Sequence, residues 1–483
     1  MRFFGGLWRE YRRAFGLFSA NARLFLLGSF LFGVGNNMIQ LLLNLYLKEL
    51  GLGEAGIGSV LAARAFGSFI IALPASFVVA RADSRYLLSS AAVLSSAAFA
   101  GSALIEGFGP IAASVFMSGA FSSLFQVAGG PFFMKNSSPE ERVHLFSLNG
   151  ALGMGTGVLG SLFGGALKDL VFAAAGDEIY AYRAALILGA LFVASATAPF
   201  LAIRERRGGE GGEPRPAVGA ASAIGVAGAV GAAGNDSGGP AFAPEGRYER
   251  RRESRDAGLD LAPDPGAGGQ PAGRRAWSRG PGAPARRTPL GRVDLALYLR
   301  LLMPGFFVGM GAGLTIPYLN LYFKNEFLLG DSFIGLIFAL GQIGTFLGMV
   351  SGPAIATRLG KAKTIFLMQA ISVPFILVLT YLRFLPAVIA AFVVRQSLMN
   401  MSSPISDNFA LEQVPPNQQH LMNALRMLNW TGSWMVSARI SGGLIATRGF
   451  APSFTLTAGL YALSSVLFWA FFLRPGAAGG GAR

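Results

Sequence analysis

Cysteine is absent from all 483 residues, and histidine occurs only twice. Without cysteine there is no disulfide, no thiolate nucleophile and no cysteine-based metal site. The two histidines, His144 and His420, do not make a histidine-rich site, and each falls at the edge of an apolar run. Charge is scarce too. Asp, Glu, Lys and Arg supply 13% of the chain, about half the usual globular share. No Walker sequence occurs, so nothing here is expected to use ATP directly. Gly51-Leu52-Gly53-Glu54-Ala55-Gly56 matches the dinucleotide fingerprint by letter, but no strand precedes it, and a tight turn is expected instead. With no nucleophile–base or metal set in view, neither an enzyme nor a cofactor is expected.

Apolar residues, by contrast, make up 52% of the chain, with 66 glycines and 40 phenylalanines. A bilayer core needs about 20 apolar residues per spanning helix. Twelve such runs occur, at about 22–47, 55–80, 86–105, 109–133, 143–171, 179–202, 294–323, 331–357, 363–382, 385–410, 420–446 and 451–473. The chain therefore reads as an all-α integral membrane protein of twelve transmembrane helices. The net charge of +15 fits basic cytoplasmic loops better than a nucleic-acid partner. With both termini in the cytoplasm, Arg81/Arg85, Lys135/Arg142, Arg358/Lys361/Lys363 and Arg474 all fall on the cytoplasmic side. No cleavable signal peptide is visible. A bacterial cytoplasmic membrane and a monomer are expected.

Three segments stand outside the runs. In residues 1–21, Phe3, Phe4, Leu7, Trp8, Tyr11, Phe15 and Phe18 recur at helical spacing among arginines. This predicts an amphipathic surface helix or an extension of the first span. Residues 204–292 are rich in Gly, Ala, Pro and Arg, and poor in aromatics. They cannot bury enough apolar surface to offset chain entropy, so a disordered cytoplasmic linker is expected. Residues 475–483 form a short tail.

The remaining segments, 22–203 and 293–474, repeat each other. Leu43-Asn44-Leu45-Tyr46-Leu47-Lys48 returns as Leu319-Asn320-Leu321-Tyr322-Phe323-Lys324, an offset of 276. The offset drifts only to 277 and 278: Gly53-Glu54 recurs as Gly330-Asp331, and Gly164-Gly165 as Gly442-Gly443. Duplicated apolar halves predict two pseudo-symmetric six-helix bundles, as in secondary transporters.

Six plus six helices, a long central joint and this repeat resemble the major facilitator superfamily. Its cytoplasmic loop motif survives as Asp83 and Arg85, with Val79 at the glycine position; the second-half copy has Gly360, preceded by Arg358 and followed by Lys361. The resemblance implies a cytoplasmic gate built from Asp83, Arg85, Arg358 and Lys361. The arginine the family places in helix 4 is Ser118 here, but Arg395 stands at the repeat position in helix 10. The antiporter motif of helix 5 reads Gly160-Ser161-Leu162-Phe163-Gly164-Gly165, without its proline.

Polar residues inside the runs are the candidate site. Arg64 and Arg395 each lie about ten residues into a span, near the midplane at 1.5 Å per residue. A buried arginine there costs about 2.5–3.5 kcal/mol, so it must face protein or a wet cavity. Each either binds substrate or bonds backbone carbonyls. Asn36, Gln40 and Asn44 share one face of the first helix, beside Asn37. Asn44 recurs as Asn320, which marks that pair as architectural. Asn36, Asn37 and Gln40 have no amide mates and are substrate candidates, with Gln126, Gln342, Asn400, Asn429 and Trp430. No carboxylate lies at mid-membrane. Asp407 is the candidate for proton coupling, or else a partner for a base such as Arg426.

The expected function is secondary transport of a small organic solute by alternating access, with proton-coupled export first. Movement of an anionic or hydroxylated metabolite is the alternative, and a non-transporting receptor or scaffold a further one. Substrate, bilayer and protons are the partners considered.

Overall fold

The computed structural model describes residues 18–137, 139–204, 294–415 and 418–474. The expected surface helix before Phe18, the expected linker beyond Arg204 and the tail lie outside them. Among the described residues there are only helices, turns and short links. In chain order the first half holds α1 (Ala20–Glu49), α2 (Glu54–Arg81), α3 (Ser84–Leu104), α4 (Phe108–Asn136), α5 (Pro139–Ala175) and α6 (Glu178–Ser195). The second holds α7 (Leu295–Thr315), α8 (Asp331–Leu359), α9 (Lys361–Tyr381), α10 (Leu385–Glu412), α11 (Gln419–Arg448) and α12 (Phe450–Phe472). A 3₁₀ turn, Ile316–Tyr318, interrupts α7 before the helix resumes over Leu319–Phe327. Pro317 explains the break, because it has no N–H to give the helix. Leu41 holds the repeat position, and α1 runs through without a break.

Eleven of these helices are long and apolar enough to cross a membrane. The twelfth, α11, has the length but is too polar, carrying Arg426, Arg439 and Arg448 with Asn423 and Asn429. Packing accounts for that polarity. The helix sits between α2 and α7, and its Asn423, Arg426 and Asn429 line a cavity described below rather than face lipid.

The two halves use one packing scheme twice. In the first, α1 packs on α5 and α6, α4 on α2 and α3, and α3 on α6. In the second, α7 packs on α11 and α12, α10 on α8 and α9, and α9 on α12. The halves meet through α2 with α11 and α5 with α8, a pair that the same symmetry exchanges. Lipid gives no hydrophobic drive between helices, so close approach of small residues has to hold these crossings. A Cβ on Gly165 would sit 2.3 Å from the Asp331 carbonyl oxygen, and one on Gly442 2.5 Å from that of Glu54. Gly335 faces the Ser161 carbonyl oxygen and Gly58 that of Ala438 in the same manner. All four relations hold at an offset of 277.

Short links join the helices at both ends of the bundle. Gly360 alone separates α8 from α9, at φ +83°, a left-handed conformation natural only to glycine. At the matching joint of the first half Asp83 has φ −65° and its carboxylate accepts from the Arg85 N–H, capping α3. This difference in backbone accounts for the asymmetry seen in the sequence. Phe18 and Arg474, the first and last described residues, lie at the end of the bundle that holds these two joints, called the termini-bearing end below.

Candidate functional site

The amide face of α1 opens on a central cavity of about 290 Å³. Asn36, Asn37, Gln40, Arg64, Gln126, Gln342 and Trp430 all line it. Aromatic rings form its wall toward the termini-bearing end. There Phe32 stacks on Phe125 with centroids 4.2 Å apart, and Phe25 packs on Phe133 at 4.6 Å. A second cavity of about 160 Å³ adjoins it in the second half, sharing Ile316, Met427, Trp430 and Thr431 as walls. Arg395, Asn400, Asp407 and Asn429 line this one. All ten substrate-site candidates therefore lie on the walls of two adjoining cavities.

Their individual settings differ. The Arg64 guanidinium donates to Asn36 Oδ1 at 3.1 Å and lies over the Phe99 ring at 5.6 Å, with no carboxylate paired to it among the described residues. Gln40 and Gln126 make no hydrogen bond among the described residues, so their amides remain available to a solute. Asn37 turns its amide to the Gly33 carbonyl of its own helix at 2.9 Å. Asn400 donates to Thr345 at 3.1 Å, and Asn429 to the Leu302 carbonyl at 3.0 Å. These three hold the cavity walls as much as they face the space. Arg395 is 2% exposed and donates to the Tyr461 hydroxyl at 2.6 Å and to Gln396 at 3.3 Å.

Asp407 is ion-paired with Arg426, and its side chain is 48% exposed. The gate candidates lie away from both cavities. Asp83 caps its own helix, Arg358 is exposed, and Lys361 bonds Glu412 and Asn408 within the second half, both at 2.5 Å. The guanidinium of Arg85 lies over Tyr86 at 5.3 Å.

The contacts that close the protein lie at the opposite end. Among the described residues, every polar contact between the halves lies between mid-bundle and that far end. Asn44 and Asn320 form the layer that floors the cavity. Beyond it Asp331, at 0% exposure, receives Lys168 from the first half at 2.7 Å and Lys324 from its own half at 3.0 Å. The Tyr182 hydroxyl donates to it at 2.7 Å, and Asp169 accepts from the Ser332 N–H at 2.8 Å. Arg439 reaches Ser59 at 2.9 Å across the other crossing. Among the described residues the cavity is thus shut at the far end, with no such contact toward the termini-bearing end. Sequence reading set Lys324 and Asp331 within the repeat without joining them, and it did not single out Lys168. A signal was present: Lys48 with Glu54 repeats as Lys324 with Asp331, and the first-half pair also forms an ion pair.

A duplicated helical bundle around a central cavity has a counterpart in sequence. The chain matches the model of the Major Facilitator Superfamily over residues 25–266 and 301–482. The chain belongs to this superfamily. It is a multi-pass membrane transporter and not an enzyme. Among curated proteins, none matches its sequence. Solved structures of superfamily fold resemble it along nearly their whole length. The nucleoside transporter NupG superposes with a TM-score of 0.63 at 13% identity, covering 94% of this chain and 100% of that one. A bacterial homologue of the human lysosomal transporter Spinster, inward-facing and unoccupied, gives 0.62 at 12%, covering 93% and 96%. A bacterial homologue of the iron transporter ferroportin, inward-facing, gives 0.60 at 16%, covering 94% and 99%. At these identities the likeness is one of fold. The transporter's own cavity chemistry has to indicate what it carries.

Proposed function

We propose that this transporter carries a small hydroxylated organic solute, neutral or singly anionic, by alternating access. The observation behind this reading is the lining of the central cavity: among the described residues, one guanidinium, a set of amides and hydroxyls, two tryptophans, and no carboxylate. Amides both donate and accept, which suits hydroxyls. A tryptophan face suits a flat or apolar part of the solute. A lone Arg64 without a counter-ion disfavours cationic solutes. Proton-coupled export through Asp407 has less support, because that carboxylate is exposed and paired. The positive-inside pattern supports cytoplasmic termini in a bacterial cytoplasmic membrane, so the described state is inward-facing.

A thermal-shift screen of the purified transporter against polyols, sugars, organic acids and organic cations tests the reading. A ligand that binds only the native state, present at 100 times its Kd, adds about 2.7 kcal/mol of stability. Polyols, sugars or hydroxy acids should stabilise wild type, and Gln40→Leu and Arg64→Gln should blunt the effect. Stabilisation by organic cations alone would overturn it.

A further inference from the structure

Two arginines lie deep in the bundle, and they are held in opposite ways. Arg395 is 2% exposed, donates to Tyr461 at 2.6 Å and has its Nε fully enclosed. Arg64 is only half-buried and lines the central cavity. A guanidinium carries five N–H donors. Arg64 spends one of them, from Nη2 to Asn36 Oδ1 at 3.1 Å. Among the described residues no acceptor meets its Nε or Nη1, and neither atom is shut away from open space as Arg395 Nε is.

The protein closes around Arg64 on three sides. Asn36 belongs to α1, and the Phe99 ring of α3 has its centre 5.6 Å from the guanidinium carbon. On α4, a Cβ at Gly119 would sit 3.1 Å from Arg64 Cγ. The cavity takes the remaining side.

The charge count is equally definite. Among the described residues no carboxylate lines this cavity or pairs with Arg64. The repeat position holds Gly341, so the second half adds no matching cation. One positive charge is left, and an unpaired charge away from bulk water is costly. A singly charged anion on Arg64 makes the site neutral. A neutral solute leaves Arg64 unpaired, and a dianion leaves one negative charge over.

We infer that Arg64 is the anion anchor of the central cavity, and that the solute is a hydroxylated monocarboxylate whose carboxylate sits on the free N–H groups of the guanidinium. This rests on the proposed function and narrows it, since neutral polyols and phosphate dianions leave the substrate class. Gln40 lies one helical turn from Asn36 on α1, about 6 Å along the axis. Hydroxyls on the carbons beyond the carboxylate therefore meet the Gln40 amide while the carboxylate stays on Arg64.

The test uses the full chain in detergent at neutral pH. Sodium gluconate, gluconamide, sorbitol and sorbitol 6-phosphate are the probes, sodium chloride at matched ionic strength is the control, and melting temperature is followed. Gluconamide differs from gluconate only in carrying an amide for the carboxylate, so the comparison isolates the charge. Gluconate should bind wild type roughly tenfold or more tightly than gluconamide or sorbitol, the worth of one charge-assisted hydrogen bond. Sorbitol 6-phosphate should bind more weakly than gluconate. Arg64→Gln should bring gluconate down to the level of gluconamide while the gluconamide response survives. Should that variant fail to fold, Arg64→Lys decides. It keeps the charge but loses the planar fork, so it should weaken gluconate severalfold and leave gluconamide unchanged.

Equal binding of gluconate and gluconamide by wild type would overturn the anchor and leave the proposed hydroxyl site in place. So would gluconate binding that Arg64→Gln or Arg64→Lys leaves unchanged, or sorbitol 6-phosphate binding at least as tightly as gluconate. Silence toward every probe, sorbitol included, would overturn both readings.

Discussion

Asn44 and Asn320, repeat mates from the two halves, each donate a hydrogen bond to the other half across the pseudo-twofold axis. Asn44 donates to the Pro317 carbonyl and, at 3.4 Å, to Asn320 Oδ1, while Asn320 donates to the Leu41 carbonyl at 2.8 Å. Leu41 and Pro317 are themselves 276 residues apart, so one interaction is written twice. Both amides are buried, at 4% and 3% exposure. Leaving a buried amide unpaired costs about 1–3 kcal/mol. Asn44→Ala and Asn320→Ala should each destabilise by that amount, and the double variant by clearly less than the sum. Thermal unfolding of the three variants checks this, and strict additivity would show the two amides to be independent.

Lys168 and Asp331 form the buried ion pair that joins α5 to α8. Removing one partner of such a pair costs about 3–5 kcal/mol, here from the far-closed state. Asp331→Asn should therefore shift the population toward far-side opening. The absence of cysteine makes the measurement direct, because a single thiol at Leu152→Cys, on the cavity wall, reports alone. An impermeant maleimide should reach it from the termini-bearing side in wild type. With Asp331→Asn, labelling from the far side should rise at least about tenfold. Unchanged sidedness would show that the pair does not hold the gate.

Asp169 and Ser332 touch across the same crossing, the carboxylate to the hydroxyl at 2.5 Å. A disulfide between Asp169→Cys and Ser332→Cys should arrest transport in proteoliposomes, and reductant should restore it. Transport that continues with the bond formed would mean that this crossing never separates.

Gly165 has no room for a side chain, since the obstacle 2.3 Å away is the backbone of Asp331. Gly165→Val should keep the far end from closing and remove most transport. Substitution of Gly155, where an added methyl would meet nothing within 4 Å, should be mild by comparison. Equal transport by the two variants would count against tight closure at this crossing.

Asp407→Asn should leave the pH dependence of transport intact, because the carboxylate is half-exposed and paired with Arg426. Solute uptake measured across a pH series in wild type and variant decides this. A flattened profile would return Asp407 to the proton pathway.

Apolar run lengths were enough to lay out the helices, and the internal repeat supplied their pairing. The run at 420–446 marked α11 as well, although its polar residues leave it less apolar than the other eleven, and its correspondence to α5 agrees. The cavity face of α1 was legible because Asn36 and Gln40 recur at helical spacing and amides avoid lipid. The alternative reading of Asp407 as Arg426's partner was legible too, from their nearness at one membrane edge. Partners chosen across the fold were not. Nothing in sequence ties Lys168 to Asp331, or Arg395 to Tyr461, since such pairs depend on how helices rotate and tilt against one another. The conformational state was equally hidden, because both states use the same residues.

The two crossings between the halves share a shape but not a fastening. Along α5 and α8 the seam is charged, with Lys168, Lys324 and Asp331 at its centre. Along α2 and α11 it is backbone against glycine, with one Arg439–Ser59 bond among the described residues. Ionic attraction falls steeply once charges separate into water, whereas small-residue contacts can slide and remain in contact. The far mouth is therefore expected to open as a book does, its spine along α2 and α11 and its clasp on α5 and α8. A solute leaving by that route would emerge past Tyr182 and Lys168, on the clasp side.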